Sequence, residues 1–188
     1  MVFSERIEAI RRRVEDMKPL WNKMQSVDDL RFLLEEVDRL SSPKNLTIKF
    51  KRLHKDAIVP RYQTDGAAGF DFHSLAEGIL LPREHAVIPT GLAVELPPGY
   101  VLLLFARSGN AMRHGITLSN GVGVCDQDYR GEIKALLYNA GHHPFRIEKG
   151  DRIMQGVIVP YVQAKFVEVA ELGETERGEG GFGSTGAR

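Results

Sequence analysis

The stretch NGVGVCDQDYRGEIKALLYN, Asn120–Asn139, decides how the rest of the chain is read. From Glu132 to Asn139 apolar and polar side chains alternate, the mark of a half-buried β-strand. Asn120 and Gly121 form the dipeptide that most favours a tight two-residue turn, so the sequence predicts a β-hairpin arm carrying the residues around Asp126. Between turn and strand sit two carboxylates, Asp126 and Asp128, next to Tyr129 and framed by glycines. Asp and Gly are ordinary turn formers, and composition alone allows a plain turn here. Four further polar, glycine-marked clusters occur at Asp65–Ser74, Arg107–Gly115, Gly150–Gln155 and Arg177–Gly186. They can act together only if folding or assembly gathers them.

Outward from this stretch the period of two persists. Thr47–Leu53 alternates, and short apolar runs follow at Ile79–Leu81, Ala86–Ile88, Gly91–Leu96, Val101–Phe105, Ile133–Leu137, Ile153–Val159 and Lys165–Val169, divided by Pro and Gly. Many short strands with no helical crossover predict an all-β domain, a sandwich or jelly roll. Its expected extent is residues 44–172. Residues 1–43 differ in kind: Phe3, Ile7, Ile10, Val14 and Met17 recur at helical spacing behind Ser4, a helix N-cap. Pro19 ends or kinks that helix, and Ser26 with Asp29 opens a second one bearing Leu30, Leu33, Leu34, Val37 and Leu40. This helical extension carries an apolar stripe that packs on its own domain or contacts an oligomer or protein partner. Residues 173–188 are rich in glycine and poor in apolar side chains, and read as a flexible tail.

The 188 residues carry 25 basic and 25 acidic side chains, so nothing in the balance points to nucleic acid or an anionic membrane. The one cysteine, Cys125, rules out an internal disulfide and a multi-cysteine zinc site, and lacks a basic sequence neighbour to activate it. It reads as a packed strand residue. Charges from Glu5 onward break any signal-peptide or membrane-span pattern, so a soluble, cytoplasmic protein is expected. The six histidines form no metal-ligand pattern, and none is assigned a catalytic role.

Taken in order, DGAAGFDFHS, RSGNAMRHG, GVGVCDQDYRGE, GDRIMQ and RGEGGFGSTG resemble the motifs of the trimeric deoxyuridine triphosphate nucleotidohydrolases, the dUTPases. The likeness covers Asp65–Gly186 and leaves the helical extension outside. It implies a jelly-roll-like, β-clip subunit in a homotrimer, with active sites at the subunit interfaces that hydrolyse dUTP to dUMP and pyrophosphate with Mg2+. One subunit would supply Arg107 and Gln155, a second Asp126 and Tyr129, and a third the tail. Three positions depart from the family's usual residues: Asn110 in place of an aliphatic, Cys125 of Ile or Leu, and Met154 of a small residue.

The chemistry suits the residue types. A triphosphate calls for fixed cations and donors, here Arg107 and Arg177 with their planar forks, and Ser108, Gly109, Ser184, Thr185 and Gly183 as neutral or backbone donors. By the resemblance, Gln155 would donate near the α-phosphate. Mg2+ favours waters and substrate phosphates over an all-protein cage, which leaves Asp71 to hold a metal-bound water. The resemblance implies that Asn120 helps fix a water at the uracil; Tyr129 would lie under the deoxyribose and exclude a 2′-hydroxyl, and Phe182 would stack on the base. On an extended arm Asp126 and Asp128 point to the same side, so periodicity does not choose the general base between them. The resemblance chooses Asp126.

Two other functions share these features. A dCTP deaminase of similar fold would need a glutamate where Leu136 stands, and leucine cannot move a proton. A dUTPase-like scaffold could also carry a regulatory protein contact through its N-terminal helices.

Overall fold

The computed structural model describes residues 46–181, together with Arg12. The expected helices of residues 1–43 therefore lie outside the described residues. What is described is an all-β, jelly-roll-like domain in which one short helix interrupts the strand order. A four-stranded antiparallel sheet runs β2 (Phe70–His73), β11 (Arg152–Pro160), β6 (Tyr100–Ala106) and β8 (Gly123–Cys125). A three-stranded sheet runs β4 (His85–Pro89), β9 (Lys134–Asn139) and β7 (Ile116–Leu118). Two pairs complete the frame, β1 (Lys49–Arg52) with β5 (Leu92–Glu95) and β3 (Gly78–Leu80) with β10 (Phe145–Ile147).

The alternation that marks these strands supplies the core. On β9, Ala135, Leu137 and Asn139 are buried while Lys134 and Leu136 are exposed. The inward residues of the other strands, among them Phe72, Leu92, Val94, Leu102, Ile116 and Ile153, join them in one cluster. Phe50, Phe70 and Phe72 meet edge-on or tilted at one end of it, with centroids 5.5 to 6.2 Å apart, the spacing at which aromatic edges and faces attract.

Three local expectations are corrected. Asn120–Gly121 forms a turn, closed by the Gly121 N–H to the Leu118 carbonyl at 3.0 Å with Gly121 at φ 70°, but not a β-hairpin. The flanking strands pair elsewhere, β7 with β9 and β8 with β6, so the turn carries the chain from one sheet to the other. Second, the polar cluster at Arg107–Gly115 contains a helix, α1 (Ser108–His114), which is too short to bury an apolar face and buries no residue. Third, Lys165–Val169 has strand-like alternation but no strand partner among the described residues, and Phe166 is 93% exposed. Strands β2 and β10 lie outside the expected apolar runs, each being too short to show a period.

Candidate active site

The site residues fall into two groups, one where β6 gives way to Arg107 and one around the Asp126 loop. In the first group Asp71, nearly buried on β2, is held by two arginines. Arg107 Nε donates to its Oδ1 at 2.7 Å and Arg152 Nη1 to its Oδ2 at 3.2 Å. Arg107 also donates through Nη1 to the Arg152 carbonyl at 3.3 Å, and Asn110 Nδ2 donates to the same oxygen at 3.2 Å. Two guanidinium groups on one carboxylate leave a local excess of positive charge, in a setting where charge-assisted bonds are strong. Gln155 sits beside them on β11 and donates from Nε2 to the Ala106 carbonyl at 3.0 Å.

Arg107 is also the N-cap of α1, in extended conformation at φ −84° and ψ 129°, and its side chain does not cap the helix. The ladder of α1 begins with the Asn110 and Ala111 amides bonding back to the Arg107 carbonyl. Ser108 and Gly109 therefore carry first-turn amides that the ladder cannot use. The predicted set Arg107, Ser108, Gly109 and Gln155 thus stands together, joined by Asp71.

Around the Asp126 loop is a cleft of about 290 Å3, rimmed by Asn120, Asp126, Tyr129, Glu132 and Lys134 and walled by Val87, Leu104, Val124, Leu136 and Met154. The Asp126–Tyr129 segment is a turn, closed by the Tyr129 N–H to the Asp126 carbonyl at 3.2 Å. The Tyr129 ring, 46% exposed, lies against Gly131, where a Cβ would overlap it. Its hydroxyl donates to the Glu132 carbonyl at 3.1 Å. Glu132 in turn accepts the Gly91 N–H on Oε1 at 2.8 Å and pairs with Lys134 at 3.5 Å. The departures at Cys125 and Met154 are both buried residues of the cleft wall. Burial, with the charge of Asp126 adding, raises the Cys125 thiol above its ordinary pKa, as a packed and unreactive cysteine requires.

The two groups do not meet within one chain. Cys125 pairs with Leu102, so Asp126 lies level with Val101, about 20 Å along the strand from Arg107. Arg177 joins neither group: its Nε donates to the Gly180 carbonyl at 2.8 Å within its own turn. Phe182, Gly183, Ser184 and Thr185 lie outside the described residues. His73, beside Asp71 in the sheet, has a buried Nδ1 with no hydrogen-bond partner among the described residues, and burial lowers its pKa more than the charge of Asp71 raises it.

Sequence reasoning missed Arg152 and Glu132. Both stand inside quoted motifs, GDRIMQ and GVGVCDQDYRGE, but nothing in a lone charged residue tells which backbone or carboxylate it will meet.

A family model described as dUTPase matches residues 55–186. Deoxyuridine 5'-triphosphate nucleotidohydrolase of Nautilia profundicola is 52% identical over 141 residues, which span 75% of this chain and 99% of the relative. The protein of the same name from Helicobacter hepaticus is 46% identical over 143 residues, spanning 76% and 90%. Among solved structures, the dUTPase of Staphylococcus bacteriophage 80alpha with dUpNHpp superposes with a TM-score of 0.70 at 33% identity, covering 74% of this chain and 98% of its own. A mutant dUTPase of phage phi11 of S. aureus, which coordinates a structural Mg(II) ion, gives a TM-score of 0.64 at 27% identity, over 68% and 99%. Agreement over the whole stretch that holds both the Asp71 cluster and the Asp126 cleft places this chain in the dUTPase family.

Proposed function

We propose that this protein hydrolyses dUTP to dUMP and pyrophosphate, acting as a dUTP diphosphatase, the activity that its relatives' names carry. The observation that carries the reading is the pair of complementary half-sites: a cationic cluster around Asp71 and Arg107, and a cleft that presents Asp126 beside Tyr129. The active form is a homotrimer, because half-sites about 20 Å apart on one strand can share a nucleotide only when different subunits supply them. The Tyr161–Leu172 segment supports this, since Val162, Phe166 and Leu172 are 93%, 93% and 87% exposed and gain cover in an assembly.

In that site Arg107, the Ser108 and Gly109 amides and Gln155 receive the phosphates of one subunit's nucleotide, with Arg177, Phe182, Gly183, Ser184 and Thr185 added by another chain's tail. Asp126 of the neighbouring subunit orients a water in line with the leaving pyrophosphate and takes its proton. The Tyr129 ring meets the deoxyribose face and leaves no room for a 2′-hydroxyl, while Asn120 on the same rim helps hold the uracil. Mg2+, when bound, neutralises the charge that builds on the phosphates. Asp71 fits such an ion indirectly: each oxygen already accepts from an arginine, yet a carboxylate keeps further lone pairs for a metal-bound water.

Deamination of dCTP gains nothing from the cleft, where Leu136 stands 38% exposed with no proton to give or take. The chain divides into an extension at residues 1–43, a β domain at 44–172 that carries the chemistry and a tail at 173–188. The deciding measurement is pyrophosphate release from dUTP with Mg2+, run beside dCTP and UTP. Ammonia release from dCTP, or no turnover of dUTP, would defeat the reading. Light scattering should report about 63 kDa, three times 21.0 kDa, and an active monomer would defeat the shared site.

A further inference from the structure

Arg113 stands in the last turn of α1, where a basic side chain is favoured beside the helix's unsatisfied carbonyls. Its head group is not there. A Cβ built on Gly109 would lie 3.0 Å from Arg113 Nη2, 3.6 Å from its Cζ and 4.0 Å from its Nη1, so the guanidinium rests one turn back, over the glycine. Two local facts permit this. Helical side chains lean toward the N-terminus, which brings residue i+4 onto residue i, and glycine at position 109 has no side chain to hold the planar head away.

Gly109 follows Arg107 by two residues, so their Cα atoms are at most about 7 Å apart. Arg107 and Arg152 already share the single carboxylate of Asp71. Arg113 is exposed and has no carboxylate partner among the described residues, so it adds a further cation to a cluster that already carries an excess of positive charge. Like charges drawn together repel, and an anion bearing several charges relieves that repulsion.

We propose that Arg113 is a phosphate-binding residue whose guanidinium holds the two outer phosphates of the bound nucleotide, the part that leaves as pyrophosphate. The inference rests on the dUTP reading above and adds a residue which that reading leaves out. Order along the chain gives the outer phosphates. Gln155 bonds the Ala106 carbonyl at the end of β6, Arg107 and Gly109 come next, and the Arg113 head lies over Gly109. With Gln155 near the α-phosphate, the later groups meet the β- and γ-phosphates. A planar fork fits two phosphate oxygens at once, and a head already in position needs no rearrangement as charge builds on the leaving group.

Equilibrium binding of dUpNHpp and of dUMP to the full chain and to its Arg113→Gln, Arg113→Ala and Arg113→Lys variants tests this without turnover. dUMP lacks the outer phosphates. Kd for dUpNHpp should rise about tenfold in Arg113→Gln and Arg113→Ala, the loss expected from one hydrogen bond made by a charged group, while Kd for dUMP stays the same. Arg113→Lys keeps the charge but not the fork and should recover part of the loss. Melting temperatures of the ligand-free variants should match that of the unsubstituted chain, because Arg113 is exposed. Unchanged affinity for dUpNHpp in Arg113→Gln and Arg113→Ala overturns the proposal. An equal loss for dUMP also overturns it, since that marks a structural role. An unsubstituted chain that binds neither ligand defeats the dUTP reading itself, and this inference with it.

Discussion

Asp126 and Asp128, two residues apart, face different hollows: Asp126 lines the cleft with Tyr129, and Asp128 lines the hollow with Lys49 and Arg130. The turn between them breaks the alternation that an extended arm would impose, so only one carboxylate reaches the cleft. Asp126→Asn keeps the shape and a hydrogen-bonding group but cannot accept a proton at neutral pH. Single-turnover hydrolysis of dUTP should fall by about two to four powers of ten while the nucleotide still binds. Asp128→Asn should leave turnover near that of the unsubstituted protein. The reverse pattern would give the base role to Asp128.

Glu132 positions the Tyr129 ring through two bonds, its side chain accepting from the Gly91 N–H and its carbonyl from the Tyr129 hydroxyl. Glu132→Ala should raise KM for dUTP about tenfold with a smaller change in kcat, because the loop loses its anchor and not its reacting group. Glu132→Gln retains the Oε1 acceptor and should recover most of the loss. Tyr129→Ala should narrow the preference for dUTP over UTP; an unchanged ratio moves sugar selection elsewhere.

Gly115 holds α1 against the loop after β9. It sits at φ 70°, and a Cβ there would lie 2.6 Å from the Gly141 nitrogen, inside any permitted contact with rigid backbone. Gly115→Ala should cost about 2 to 4 kcal/mol, combining left-handed strain with overpacking. Urea denaturation measures it. A loss below about 1 kcal/mol would show that the Gly141 backbone gives way.

Cys125 should be slow to react with a disulfide reagent at pH 8 in the folded protein and fast in urea. Burial raises its pKa in the fold, so the reactive thiolate is scarce until pH climbs above the ordinary thiol range. Rapid labelling of the native protein would mean that the cleft wall opens readily.

Removing residues 177–188 deletes no strand among the described residues, whose last strand ends at Pro160. The truncated chain should fold and assemble yet lose nearly all dUTP hydrolysis. Full activity in that form would take Arg177, Phe182, Ser184 and Thr185 out of the site.

From residues alone one could read the class of the fold, the better strands and the five polar clusters. Alternation on Glu132–Asn139 or Ile153–Val159 is a local property, set by which side chains must face water, and it survives without knowledge of any neighbour. Motif order made the family legible in the same way, through side-chain identities at set spacings. Pairing is not local. Whether Asn120–Gly121 closes a hairpin depends on where β7 and β8 find partners, and each found one in a different sheet. Lys165–Val169 alternates as well as many strands do, yet among the described residues it has no sheet edge to join. Only the tertiary structure could turn Asp126 and Asp128 into separate hollows, place Arg152 on Asp71 and set Glu132 against Gly91. Those outcomes follow from contacts between residues far apart in the chain, which periodicity cannot encode.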